Sequence, residues 1–298
     1  QIERLAQRTP FILYKNWLIL RLLQGLSPWG LYRLWYSEDT QPMDNWALIT
    51  GASAGIGREL AKLFAADGFN LVLVARAEAR LQELAAELQA QHSIQARVVR
   101  QDLAQSNAAA DIFHAVSELP VSVLVNNAGF GSYGPFAQTD LGLQTSLMQV
   151  NMVALVQLTH LFLQPMLRRQ SGRILNVASV AAFQPGPTVN IYYASKAFVY
   201  SFSYALAAEL KGSGITVTAL CPGTTRTEFF ERAHIQMKRP WPLTDARRVA
   251  EAGYRGMLRG KRVVIPGLMN RLMAAISPCL PSALTAGIVR RIHEPDQA

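Results

Sequence analysis

The chain has 298 residues, half of them apolar and 16% charged, which is enough for one large α/β domain or two small ones with a substantial core and excludes a disordered chain. Cys221 and Cys279 form no Cys-x-x-Cys spacing and the five histidines are scattered, so no disulfide framework and no metal site is expected. The net charge of +9 is no nucleic-acid signature, because residues 37–254 carry 17 basic and 17 acidic side chains and the excess sits at the ends, +4 over residues 1–36 and +5 over residues 255–298.

Residues 1–44 read as an apolar basic extension. Lys15 and Arg21 interrupt its apolar runs, Phe11-Ile12-Leu13-Tyr14 and Trp17-Leu18-Ile19-Leu20. It therefore falls short of a spanning helix, which needs ~20 apolar residues, and the same charges disfavour a secretory signal. From residue 46 short apolar runs alternate with longer helical stretches, the pattern of a parallel sheet covered by helices. Strands are predicted near 46–50, 70–75, 96–100, 121–125, 172–178, 215–220 and 262–265, with helices near 55–67, 77–91, 105–117, 140–170, 190–211 and 245–258. Asp67-Gly68 supplies the glycine expected just past the first helix.

The first strand runs directly into Thr50-Gly51-Ala52-Ser53-Ala54-Gly55-Ile56-Gly57 and then a helix. Glycines at such a turn let the backbone approach a pyrophosphate, whose charge is favoured by the free N–H groups of the helix start. The Gly-x-x-x-Gly-x-Gly spacing lacks the Gly-Lys-Ser/Thr ending of a triphosphate loop, so a dinucleotide is expected rather than ATP. The second strand ends at Ala75-Arg76 with no acidic residue to hold a ribose 2′-hydroxyl. Arg76 is placed to pair with a 2′-phosphate, with Ser53 or Arg58 as helpers, which favours NADP(H). Asp102 and Leu103, after the third strand, are expected beside the adenine. Asn126-Asn127-Ala128-Gly129, after the fourth, is expected behind the nicotinamide.

Tyr192 and Lys196 are i,i+4 neighbours on a predicted helix, so a phenol and an ammonium share one face. A free phenol titrates near ~10 and is a slow acid or base at neutral pH unless a nearby positive charge stabilises the phenolate, which Lys196 can supply. Tyr193 has Ala197 at that spacing and fails the same test. Thr224 to Pro242 has weak periodicity and lies where a lid would cover the carboxyl ends of the strands; a plain surface excursion is the other reading. Phe183, Phe229, Phe230, Met237 and Trp241 near it lean towards a hydrophobic substrate.

The glycine segment, Asn126-Asn127-Ala128-Gly129, Asn151, Ser179, Tyr192-x-x-x-Lys196 and Pro222-Gly223 occur in an order and spacing that together resemble the short-chain dehydrogenase/reductase family over about residues 45–266. The resemblance implies a Rossmann-like, doubly wound, seven-stranded parallel sheet with helices on both faces. It further implies an NADP(H)-dependent oxidoreductase in which Tyr192 gives a proton to a carbonyl oxygen or takes one from an alcohol. Ser179 would hydrogen-bond that oxygen. Lys196 would lower the tyrosine pKa and hold the nicotinamide ribose, so that Tyr192 and Lys196 also line the cofactor site, and Asn151 would anchor a water leading to solvent. Gly51, Ser53, Gly55, Ile56, Gly57, Arg76, Asp102, Leu103, Asn127, Ala128 and Gly129 would hold the cofactor, with Pro222, Gly223, Thr225 and Thr227 closing over its carboxamide and pyrophosphate. Three residues between tyrosine and lysine, rather than six, favour carbonyl over carbon–carbon double-bond reduction. The family also implies a homodimer or homotetramer joined through the helices of Asn151 and Tyr192.

The competing expectation is an NADP(H)-binding sensor or scaffold with vestigial catalysis, against which all four catalytic residue types weigh. Residues 267–298 form a second apolar basic extension. Two readings of the ends stay open: they seat a cytoplasmic enzyme peripherally on an anionic membrane, or residues 11–36 and 267–290 form helices that pack on the body, cover the substrate pocket or join subunits.

Overall fold

Runs such as Leu71-Val72-Leu73-Val74 are too apolar for a half-exposed strand, and they become the centre of a sheet covered on both sides. The computed structural model describes residues 45–229 and 243–293. The strands are β1 (Trp46–Thr50), β2 (Asn70–Ala75), β3 (Ala96–Arg100), β4 (Val121–Asn126), β5 (Gly172–Val177), β6 (Ile215–Leu220), a short pair β7 (Thr225–Arg226) and β8 (Thr244–Asp245), and β9 (Val263–Val264). Seven of them form one parallel sheet in the order β3-β2-β1-β4-β5-β6-β9. The order reverses between β1 and β4, so a crevice opens at their carboxyl ends.

Alternating residues feed two cores. Ala47, Ile49, Leu71 and Leu73 pack against α1 (Gly55–Ala66), α2 (Glu78–His92) and α7 (Ala246–Leu258). Trp46, Leu48, Val72 and Val74 pack on the other face, with α3 (Ala108–Ala115) and α5 (Ala154–Arg169). A third cluster joins Leu155 to Val199 on α6 (Asn190–Glu209) and to Cys221. Gly68, at φ +81°, ends α1 with its N–H on the Ala65 carbonyl.

The helix predicted over 140–170 is interrupted. It begins as α4 (Leu141–Met148), capped by the Asp140 carboxylate on the Leu143 N–H, widens into a π turn over Gln149–Val153, and resumes as α5. Among the described residues, Leu141–Arg169 is the one helix long and apolar enough to cross a membrane by length and composition. Leu155, Leu158, Phe162 and Met166 of this run are buried in the body, which makes it a core helix. Beyond β9 the chain makes α8 (Leu268–Ile276) and α9 (Ser282–His293), in the same compact unit as the sheet.

Candidate active site

The cradle at the end of β1 is built from backbone. Gly51 has φ +67°, a left-handed conformation that a side chain would strain. A Cβ on Gly57 would stand 2.4 Å from the Gly51 carbonyl oxygen and 2.5 Å from Asn127 Nδ2. α1 has no side-chain cap and no acidic residue in its first turn, so its leading N–H groups face the crevice without an internal anion. Thr50 ties the cradle to the next strand: its Oγ1 accepts from the N–H groups of Asn127 and Ala128, both at 3.0 Å, and Asn127 Nδ2 donates to the Thr50 carbonyl at 2.8 Å. These residues fit a bound pyrophosphate, since an uncapped helix start beside side-chain-free backbone is what an extended anion requires.

Around the cradle the predicted cofactor residues divide. The Arg76 side chain is exposed just past β2 and its guanidinium makes no hydrogen bond or ion pair among the described residues, its carbonyl accepting the Glu78 N–H at 3.1 Å, whereas Arg58 pairs with Glu87 on α2 at 3.1 Å and so is not poised to help it. Asp102 accepts the Ala104 N–H at 3.0 Å, and Leu103 is buried in the second core. Thr227 lies across the cradle, its methyl 2.9 Å from where a Cβ on Gly55 would be, and Thr225 Oγ1 donates to the Gly223 carbonyl at 2.9 Å. Phe229 packs on Tyr192, with ring centroids 5.1 Å apart. Phe230, Met237 and Trp241 lie outside the described residues.

The four residues predicted for proton transfer converge at the carboxyl ends of β4 to β6. Ser179 follows β5, and its hydroxyl accepts from the Ala181 N–H at 3.1 Å, donates to the Pro222 carbonyl at 3.4 Å and also hydrogen-bonds Tyr192. Lys196 is 5% exposed; its Nζ donates to the Val177 carbonyl at 2.8 Å and lies 5.7 Å from the Tyr192 ring centre. Asn151, on the π turn, grips Phe130 in both directions, Nδ2 to its carbonyl at 3.0 Å and Oδ1 from its N–H at 3.1 Å. Gly129 marks where the groups meet, since a Cβ there would be 3.0 Å from Asn151 Oδ1 and 3.3 Å from Lys196 Nζ.

Electrostatics depart from the expectation that Lys196 holds the phenol down. Burial is the larger effect and pushes Tyr192 up to about 12, with the Ser179 hydrogen bond offsetting part of it. The ring is only partly buried, so water at its open edge trims that shift. Burial likewise lowers Lys196 to about 8. At neutral pH the site therefore holds a protonated phenol beside an ammonium. The Cys221 thiol is raised to about 12 by burial, which fits a core residue and not a nucleophile.

Several positioning contacts have no local signature. Ser195 Oγ donates to the Tyr192 carbonyl at 2.7 Å and accepts from Asn151 Nδ2 at 3.1 Å, so it couples two of the four groups. Asn126 Nδ2 donates to Asn176 Oδ1 at 2.9 Å, and Asn176 Nδ2 donates to Ser203 Oγ at 2.9 Å, which pins α6 to β4 and β5. Tyr193, beside Tyr192, meets His293 Nε2 at 3.0 Å, and Tyr133 donates to the His293 carbonyl at 2.7 Å. A hollow of about 340 Å³ near Phe113, Val121 and Arg169 lies at the amino end of β4 and carries none of these groups.

Residues 45–238 match the family model described as short chain dehydrogenase. The chain is 38% identical to a very-long-chain 3-oxoacyl-CoA reductase of Phaeosphaeria nodorum over 59% of its own length and 53% of the relative's. It is 37% identical to 17-beta-hydroxysteroid dehydrogenase type 3 of Mus musculus over 64% and 63%. The matched stretch thus spans less than two thirds of the length of these relatives. Among solved structures, a short-chain dehydrogenase from Sphingobium yanoikuyae in complex with NADPH superposes with a TM-score of 0.72 at 33% identity, covering 85% of this chain and 98% of that one. With a seven-stranded parallel sheet, a glycine cradle at its first turn and a family match over most of the chain, the protein belongs to the short chain dehydrogenase family.

Proposed function

We propose that this protein is an NADP(H)-dependent oxidoreductase that interconverts a hydrophobic ketone or aldehyde and its alcohol, with Tyr192 as general acid and base. The observation that carries this reading is a protonated, partly open phenol hydrogen-bonded to Ser179 and flanked by the Lys196 ammonium, beside a helix start free of internal anions. The cofactor, when bound, supplies or accepts the hydride. Tyr192 Oη gives its proton to the substrate oxygen in reduction and recovers one in oxidation. The Ser179 hydroxyl donates to the same oxygen as charge develops there, at the cost of its long bond to Pro222. Lys196 keeps one N–H on Val177 and has two left for a ribose and for electrostatic support of the phenol. A π turn takes backbone carbonyl groups out of the regular helical ladder, which suits Asn151 to anchoring a water on the way to solvent.

NADP(H) rather than NAD(H) is favoured by Arg76, an exposed guanidinium at the end of β2 with no side-chain partner among the described residues. A hydrophobic substrate is favoured by the cluster of Tyr133, Val189, Tyr192, Tyr193 and Phe229, and by relatives named for very-long-chain acyl and steroid carbonyls. Residues 45–266 would carry the chemistry. Subunit pairing would use α4 to α6, where Val153, Phe198 and Tyr204 are exposed apolar side chains. The test is NADPH oxidation across small ketones, long-chain 3-oxoacyl carbonyls and steroid ketones. Turnover is expected with the bulky apolar members and is lost in Tyr192→Phe while NADPH still binds. Undiminished turnover in that variant defeats the assignment.

A further inference from the structure

Helices α8 and α9 each carry two unlike faces. Asn270 and Ala274 on α8 and Ser277 just past it turn inward, where Asn270 lies against Gly223 and Ser277 Oγ reaches Gln184 Oε1 at 3.4 Å. On α9, Thr285, Val289 and His293 are buried, and His293 holds Tyr133 and Tyr193. The outward faces are different in kind. Leu268 and Met269 are 72% and 64% exposed, and Leu272, Ile276, Leu280, Leu284 and Ile288 continue the exposed apolar series through the turn and along α9. Seven large apolar side chains on 21 successive positions exceed the scatter of single exposed residues that a soluble surface carries.

The charge of the same stretch selects an occupant. From Arg259 to His293 there are six basic residues and no acidic one. A second copy of this face would bring like charge against like charge, and residues 1–36, at +4, carry the same sign. Apolar side chains framed by arginines match the boundary between acyl chains and anionic headgroups, where each arginine or lysine adds attraction. We propose that the outward face of α8 and α9 docks on an anionic lipid bilayer. Its inward face touches Gly223, Gln184, Tyr133 and Tyr193, so docking sets the aromatic cluster around Tyr192 close to the lipid. Only that last consequence rests on the catalytic reading.

The test is flotation of the full chain with phosphatidylcholine vesicles, with and without phosphatidylserine, at low and high salt. The unmodified chain is expected to float with the anionic vesicles at low salt. The triple variant Leu272→Asp/Ile276→Asp/Leu284→Asp, and separately Arg271→Glu/Arg291→Glu, should each weaken binding by about tenfold or more. Circular dichroism and thermal melting establish that each variant is folded, and the arginine pair decides the matter if the aspartates disturb folding. No flotation of the unmodified chain, or unchanged flotation of folded variants, overturns the proposal, the second outcome assigning attachment elsewhere in the chain. A fall in sedimenting mass in the aspartate variant gives the face to a second copy and also overturns it. Because the readout is binding, a failure of the proposed chemistry would leave this result intact.

Discussion

The two halves of the crevice are made of different materials. On the β1 to β3 side the ligand surface is main chain: Gly51 in a left-handed turn, Gly57 against a carbonyl, and an uncapped helix start. On the β4 to β6 side it is side chain, with Ser179, Tyr192, Lys196 and Asn151 each fixed by at least one hydrogen bond. A main-chain surface is specified by the absence of atoms and is broken by adding one. A side-chain surface is specified by functional groups and is broken by removing one.

The largest expected effects come from doing each of those in turn. Gly57→Ala adds a methyl 2.4 Å from a backbone oxygen that has no rotamer to escape with. Overpacking of this kind costs about 1–3 kcal/mol. NADPH binding measured by fluorescence titration should fall by roughly 5- to 100-fold if that strain is relieved by opening the turn. Tyr192→Phe removes one oxygen and should cut kcat by roughly 10²–10⁴-fold with NADPH affinity nearly unchanged. If both variants lose binding and turnover together, the two halves do not act separately and the contrast fails.

The same contrast explains what could be read from the chain. The cradle is contiguous, so Gly51, Gly55 and Gly57 declare themselves by spacing, and Tyr192 and Lys196 by one helical turn. All seven strands of the sheet fall within a few residues of their predicted positions because most are short apolar runs bounded by polar residues, β3 with its two arginines being the exception. The supports of the second half were not legible. Asn126 reaches Asn176 and Asn176 reaches Ser203 across 50 and 27 residues, and Tyr193 finds His293 across 100. No local pattern encodes partners that only the folded sheet brings together. The π turn at Asn151 was hidden for a related reason, since its composition is that of an ordinary apolar helix.

A pH series sharpens the side-chain half. Lys196 titrates near 8 because it is buried, so reduction that depends on its ammonium should fall as pH rises through about 8, approaching tenfold per unit once the proton is lost. Lys196→Met should lower the plateau and remove that limb. Stability moves the other way over the same range: the folded pKa lies below the ordinary 10.5, so between about 8 and 10.5 the unfolded chain binds the extra proton and stability rises with pH. Tyr192 reverses the trend. Its pKa is raised from 10 to about 12, so the folded chain holds the extra proton in that window and stability falls. Denaturant melts across pH 7 to 12, compared with Lys196→Met and Tyr192→Phe, separate the two.

Arg76 tests whether the main-chain half also carries side-chain specificity. A charged hydrogen bond is worth about 1.5–3 kcal/mol, so Arg76→Ala should weaken NADPH binding by roughly tenfold or more while NADH binding stays level. Equal affinities for NADPH and NADH in the unmodified protein would remove the assigned preference.

The smallest expected effect lies at the seam between the halves. Arg80 of α2 donates to both carboxylate oxygens of Glu228, at 2.9 and 3.1 Å, so the cradle side is tied to the segment that follows β7 and leads past Thr227 over Gly55. Both side chains are about half exposed, and such pairs are worth about 0.2–1 kcal/mol. Glu228→Gln should therefore leave the melting curve almost unchanged. Its effect should appear in NADPH release measured by stopped flow, faster by up to about fivefold at low salt and converging with the unmodified protein at high salt. A matching increase from Arg80→Gln, with no further increase in the double variant, would assign the change to the pair, and additive increases would assign it to separate contacts of each residue.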